Sequence, residues 1–219
     1  MRVACIQLRS GIDIDANIKA ATALIRKAAA DGAVLVATPE MTHILQRSPK
    51  KLFAAITDEA SDIAVQAFSD LAAELNIDLL IGSLAIRTGE RRAANRGILF
   101  GPDGQIKARY DKIHMFDVTI SKTETWKESG VYDAGTHAVM ADVQNMRLGM
   151  SICYDVRFAA LYRDYAQTGA EIMAVPAAFT RPTGRDHWAT LLRARAIETG
   201  AFVVAPAQGG EHDDGRATW

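Results

Sequence analysis

The amino-acid sequence predicts an α/β layered sandwich, and three patterns carry that prediction. Short apolar, strand-like runs alternate with helical stretches along most of the 219 residues. Two pairs of strand-like runs flank turn residues and read as antiparallel hairpins. Other runs are apolar without alternation, as strands covered on both faces are. Crossovers mixed with hairpins favour stacked layers over a purely doubly wound sheet.

Residues 2–8 form the first predicted strand, with Cys5 packed inside it. Asp13 or Asp15 caps a helix running to about Asp31, with Ile18, Ala21, Leu24, Ile25 and Ala28 on one face. Gly32 ends it. Residues 33–37 (Ala-Val-Leu-Val-Ala) read as a doubly covered strand. An alanine-rich helix is expected over about 58–75, ending at Asn76, and a strand over 78–86. Residues 96–100 and 105–110 flank Gly101-Pro-Asp-Gly104, a turn by composition. A second hairpin pairs 137–143 with 146–152 around Gln144-Asn145. A helix over 157–169, a strand over 171–175, a helix over 186–200 and a strand over 201–207 follow, before a polar, glycine-rich tail over 209–219. No repeat or linker interrupts the pattern, so one domain over 1–219 is expected.

Composition excludes several classes of function. The net charge is −1 with no basic patch, which argues against nucleic acid and anionic membrane as partners. The first residues show no secretory-signal pattern, and no apolar run approaches the roughly 20 residues of a membrane helix. The two cysteines, Cys5 and Cys153, make no disulfide framework and no C-x-x-C motif; this fits a reducing cytoplasm. His43, His114, His137, His187 and His212 show no metal-ligand spacing, so neither metal nor cofactor is expected.

Three residues stand out chemically. Cys153 closes the run 146–152 at a strand-to-helix corner, where a thiol is presented and backbone N–H groups point at its target. Glu40 follows strand 33–37 after Thr38-Pro39, and Lys112 follows strand 105–110 after Asp111. All three lie beyond the carboxyl ends of strands, where ligand sites of open α/β sheets gather. A free thiol is only about 3% thiolate at pH 7. Glu40 can take its proton, and Lys112 can stabilise the anion that follows. Each residue also has an ordinary structural use: Cys153 as a packed thiol, Glu40 as a helix-start acid, Lys112 as a solvated hairpin end.

The segments Thr-Pro-Glu-Met (38–41), Tyr-Asp-Lys-Ile-His-Met-Phe-Asp-Val (110–118) and Ser-Ile-Cys-Tyr-Asp-Val-Arg-Phe (151–158) resemble the nitrilase, or carbon–nitrogen hydrolase, superfamily. Blocks at 95–100, 176–180, 184–188 and 193–198 extend the resemblance in order along the chain. It implies an α-β-β-α sandwich, often paired as a homodimer, and a Glu40–Lys112–Cys153 triad assisted by Glu128. It also implies that the backbone N–H of Tyr154 joins Lys112 in an oxyanion hole. The implied reaction is hydrolysis of a small-molecule amide through a Cys153 thioester, releasing ammonia or an amine. Within the superfamily the chain is most similar to amidases of the deaminated-glutathione and ω-amidase type, which act on amides bearing a carboxylate. Phe179, Arg181 and Thr183, in the loop expected after strand 171–175 together with Arg185, are then the substrate-contact candidates, with Arg181 able to hold a carboxylate. The alternatives are another superfamily amidase, an N-carbamoyl hydrolase, an acyl transferase, or an inactive assembly protein.

The sequence departs from the family pattern twice. Ala159-Ala160 stands where Pro-Glu is usual, which weakens a helix start. Ala217-Thr-Trp219 resembles a point from which relatives continue into further strands, so the last strands of the sandwich are expected to be missing.

Overall fold

A computed structural model describes residues 1–122 and 124–219. Its elements run β1 (Val3–Cys5), α1 (Ile14–Ala30), β2 (Leu35–Ala37), α2 (Pro49–Ala55), α3 (Ile63–Leu75), β3 (Asp78–Arg87), β4 (Ala93–Phe100) and β5 (Ile106–Asp111). There follow β6 (Asp117–Ser121), β7 (Glu124–Lys127), β8 (Tyr132–Asp133), β9 (Val139–Val143), β10 (Met146–Met150), α4 (Ala159–Gln167), β11 (Ile172–Ala174), α5 (Arg181–Thr199), β12 (Phe202–Val204), β13 (Gly210–Glu211) and β14 (Ala217–Thr218).

Two sheets form the centre. One has the order β1-β2-β3-β4-β5, with β8 added beside the start of β4; the other has the order β12-β11-β10-β9. Strands joined through helices pair in parallel, and the β3–β4, β4–β5 and β9–β10 pairs are antiparallel. Period-two alternation explains the stacking. Leu35, Ala37, Leu80 and Leu99 face a core shared with Leu148, Met150, Ile172 and Ala174 of the other sheet. Val36, Leu79, Ile81, Ile98 and Phe100 point the opposite way, into a core with Ala21, Ile25, Phe68 and Leu71 of α1 and α3. Tyr162 and Tyr165 of α4 and the partly buried Trp188 and Leu191 of α5 pack on the second sheet. The layers are therefore α-β-β-α, as expected.

Local chemistry sets the helix boundaries. Asp13 caps α1 through the N–H of Ala16 at 3.0 Å, and Gly32 follows it at φ 85°. Leu24 is 40% exposed, so it leaves the predicted buried face, and the polar Asn17 takes its place against Gly11 and His43. The helix expected from 58 starts at Ile63. Asp58 caps a separate 3₁₀ turn (Glu59–Ser61), and Asp62 caps α3 through Ala64 and Val65. Asn76 ends α3 in the left-handed region, φ 52°.

The sequence reading missed α2, although Ser48-Pro49 is a cap followed by a first-turn proline. It also missed the β6–β7 hairpin. The helix expected over 157–169 divides into a 3₁₀ turn (Cys153–Arg157) and α4, which begins without a side-chain cap. The helix expected from 186 begins at Arg181, because Pro182 suits its first turn. Cys5 lies in β1 but is exposed rather than packed. The first strand is shorter than 2–8, with Leu8 forming only an isolated bridge to Gln208.

Candidate active site

Glu40 is held by the corner after β2. Thr38 donates its N–H to Leu80 at 2.9 Å, and its hydroxyl accepts from the N–H of Gly82 at 3.1 Å. Gly82 is required there, since a Cβ would lie 1.9 Å from the Thr38 carbonyl and 2.3 Å from Pro176. The next residue, Met41, takes φ 56°, and the Ser83 hydroxyl accepts its N–H at 2.9 Å. The turn therefore aims Glu40 inward, where it is 5% exposed. It is not a helix-start acid.

Lys112 follows β5 and is 2% exposed, so it is not a solvated hairpin end. Its Nζ lies 3.0 Å from Glu40 Oε1 and 3.1 and 2.9 Å from the two oxygens of Glu128. Glu128 opens a 3₁₀ turn after β7 and also accepts the N–H of Phe116 at 2.7 Å. Cys153 stands three residues beyond the end of β10, its N–H bonded to the Pro176 carbonyl at 2.8 Å. Its φ of 51° is a conformation that non-glycine residues adopt at a cost and that clusters at functional sites.

Asp155 ties the thiol corner to the lysine. It is fully buried and accepts from the N–H of Ile152 (2.9 Å), the Tyr110 hydroxyl (2.7 Å) and the N–H of His114 (2.9 Å). Tyr110 and His114 flank Lys112, so one carboxylate fixes Lys112 relative to Cys153. Burial and the Asp155 charge push the Tyr110 hydroxyl far up, keeping it a donor.

Two partners of Glu40 escaped the sequence reading. Asn95 of β4 donates to Glu40 Oε1 at 2.9 Å and to Glu128 Oε1 at 3.1 Å, bridging the two carboxylates. The N–H of Ala178 donates to Glu40 Oε2 at 2.8 Å. The signal for Asn95 was a lone amide in the apolar run 93–100, since buried polar groups need partners.

The electrostatics follow from this wiring. Burial acts to raise the pKa of Glu40, but the Lys112 ammonium and hydrogen bonds from Cys153, Lys112 and Asn95 outweigh it and hold the carboxyl below its ordinary range. Burial and the neighbouring Glu40 charge push the Cys153 thiol well up, and the Lys112 charge offsets them only in part. Lys112 is opposed by burial but is held charged by Glu128 and Glu40. The resting arrangement is a neutral thiol near a carboxylate that is paired with an ammonium.

These groups open on a cavity of about 270 Å³. Glu40, Lys112, Glu128, Cys153, Tyr154, Phe179 and Thr183 line it, so seven of the eight residues singled out from sequence meet there. Arg181 does not line it. Because α5 starts five residues earlier than expected, Arg181 and Arg185 stand on its first turns and face Glu211 (3.4 Å) and Asp186 (2.8 Å) in solvent. Two other arginines, Arg47 and Arg216, line the cavity instead. Among the described residues no group of three or more His, Cys, Asp or Glu side chains could hold a metal, and no helix is long and apolar enough to cross a membrane.

A buried thiol, carboxylate and ammonium at strand ends of an α-β-β-α sandwich define a class of C–N bond hydrolases, and comparison with known proteins agrees. The carbon-nitrogen hydrolase family profile matches residues 2–219, and the chain belongs to that family. It is 38% identical to the deaminated glutathione amidase of Yersinia enterocolitica, over 99% of this chain and 76% of that protein. It is 34% identical to the omega-amidase of Homo sapiens, over 100% of this chain and 78% of that protein. Among solved structures, the NitFhit protein of C. elegans superposes with a TM-score of 0.89 at 34% identity, covering 99% of this chain and 53% of that one. A Saccharomyces cerevisiae member of the nitrilase superfamily gives a TM-score of 0.87 at 27% identity, covering 99% and 79%. The chain is a carbon–nitrogen hydrolase acting on amides.

Proposed function

We propose that the substrates are small amides that carry a carboxylate, deaminated glutathione or the ω-amides of keto acids, and that Cys153, Glu40 and Lys112 perform the hydrolysis. The Cys153 proton passes to Glu40 as sulfur forms a bond to the amide carbon. The carbonyl oxygen becomes an oxyanion held by Lys112 and the backbone N–H of Tyr154. Glu40 returns the proton to the leaving nitrogen, the C–N bond breaks, and ammonia or an amine departs. Glu40 then takes a proton from water as its oxygen attacks the thioester. The collapse of the second oxyanion releases the acid and restores the thiol. Glu128 holds Lys112 charged and oriented and assists substrate positioning.

The observation supporting this most strongly is the direct hydrogen bond of Lys112 to Glu40, with Cys153 on the wall of the same cavity. The same reading takes 1–219 as one domain. It assigns the enzyme to a reducing compartment, the cytoplasm, where a nucleophilic thiol persists. It also makes the enzyme a homodimer, with Ile197 (82% exposed) and Phe202 (70%) as candidate interface residues. The test is ammonia release from an ω-amide of a keto acid and from deaminated glutathione. The wild-type chain should turn over at least one, and Cys153→Ala should lose roughly 10⁴-fold or more. Undiminished turnover by that variant would end the proposal.

A further inference from the structure

The cavity wall carries a second group of polar residues that the hydrolysis does not use. Trp126 of β7 lines it, with its indole N–H donating to Glu124 at 2.9 Å. The guanidinium carbon of Arg47 lies 4.8 Å from the centre of the Trp126 ring, and that of Arg216 lies 4.9 Å from it. The separation of the two cations is therefore bounded by the sum of those distances. Both residues line the cavity.

Stacking on an aromatic face leaves the in-plane N–H edge of a guanidinium open, the edge that takes a carboxylate in two parallel hydrogen bonds. Arg216 is presented for this. Its side chain is 17% exposed, and its Nε is buried without a hydrogen-bond partner. Its nearest acid, the buried Asp214, is 3.6 Å from Nη2, on the same edge as Nε but beyond hydrogen-bond range, so the Nη1 end is the one with no acid against it. Arg47 is exposed and has no carboxylate within ion-pair distance among the described residues. The two acids lining the cavity, Glu40 and Glu128, are both committed to Lys112. Two neighbouring cations with open donor edges form a site for an anion.

Much of the remaining wall is apolar, including Ile44, Leu45, Leu52 and Val131, and so suits methylene groups. We propose that Arg216, with Arg47 on the same Trp126 ring, is the carboxylate receptor of this cavity, and that it selects amides whose carboxylate is separated from the scissile group by a short aliphatic chain. This rests on the function proposed above, and it moves the receptor from Arg181 to residues contributed by the segment before α2 and by the β13–β14 turn.

The test is calorimetric binding to Cys153→Ala protein, so that turnover plays no part. The probes are glutaramate and pentanamide, which share chain length and amide and differ in the carboxylate. Arg216→Gln should lower the affinity ratio of glutaramate to pentanamide by about ten- to hundredfold. Arg216→Lys should restore part of it, because charge returns without the fork. Arg47→Gln should lower it less, since that arginine is exposed and screened. Thermal unfolding checks each fold. Should Arg216→Gln fail to fold, an unchanged ratio in both Arg216→Lys and Arg47→Gln overturns the receptor. An unchanged ratio in Arg216→Gln, equal weakening of both probes, or no binding of glutaramate to the parent also overturns it. Ratio loss as expected, with no ammonia released from glutaramate or any other amide by protein retaining Cys153, would leave the receptor standing and remove the hydrolytic function.

Discussion

The two ends of one cavity are built on opposite principles. At the inner end every charge is spoken for within the protein: Lys112 binds Glu40 and Glu128, Asn95 bridges the two acids, and Ala178 and Phe116 supply backbone donors. At the outer end Arg47 and Arg216 rest on Trp126 with donor edges open. The difference teaches where each kind of work is done. Reacting groups must be preorganised before substrate arrives, because reorganising charge at the moment of reaction is costly. A recognition group keeps donor capacity for the ligand, and Arg216, with Asp214 at 3.6 Å, makes no side-chain hydrogen bond among the described residues.

The contrast predicts a hierarchy of damage. The largest loss belongs to Lys112→Met. It strands a buried carboxylate, Glu40, and a partly buried one, Glu128, so the fold should lose about 3–5 kcal/mol by urea unfolding and ammonia release should fall below detection. A mild effect on both would mean that the inner end is not an interlocked unit. Asn95→Ala comes next. It removes two donors to ionised acceptors, each worth about 1.5–3 kcal/mol, and kcat should fall by about ten- to a thousandfold while KM moves less. Asp155→Asn should act one step further away. It keeps the shape but weakens the tie between Cys153 and Lys112, lowering kcat by about tenfold and slowing thiol labelling at Cys153. Equal labelling in the variant would deny Asp155 its positioning role.

The smallest effects are those of pH on stability. His43 is fully buried beside α1 and α3, and burial pushes its pKa down to about 3. In the unfolded chain it protonates near pH 6.5. The unfolded state therefore binds the extra proton between those limits. The stability His43 contributes is complete above about pH 6.5 and is lost as pH falls toward about 3, by at most about 1.4 kcal/mol per pH unit. His43→Gln should flatten that limb in urea titrations. Glu40, with its folded pKa depressed, adds a loss only at lower pH, below the ordinary carboxylate range. The raised Cys153 thiol works in the opposite direction. It stabilises below about pH 8.5, and its contribution fades as the unfolded thiol ionises above that.

The inner end was legible in the sequence and the outer end was not, for a physical reason. Glu40, Lys112 and Cys153 each sit just past a strand whose apolar pattern is visible, so strand-end logic brought them together. The alternation in Leu35–Ala37 and Leu79–Ile81 likewise encodes which side meets the other sheet. Arg47, Trp126 and Arg216 sit on a pre-helix segment, a hairpin of four- and five-residue strands and a two-residue-strand turn, none of which carries a periodic signal. Their meeting is tertiary. Arg181 misled because one proline shifted a helix start by five residues and turned the side chain outward. Asn95 opens the block at 95–100 that carries the family resemblance, but its bond to two acids depends on the β3–β4–β5 register.

The sharpest measurement is an acid-quenched reaction with an ω-amide of a keto acid, read by intact mass and peptide mapping. Only two cysteines exist, and Cys5 is exposed on β1, so the chain carries its own control. An acyl adduct confined to the peptide holding Cys153, appearing before ammonia release levels off and absent from Cys153→Ala, is the result expected if sulfur, Glu40 and Lys112 share one carbonyl. Steady turnover with no adduct on Cys153, or with the acyl group on Cys5, would contradict it.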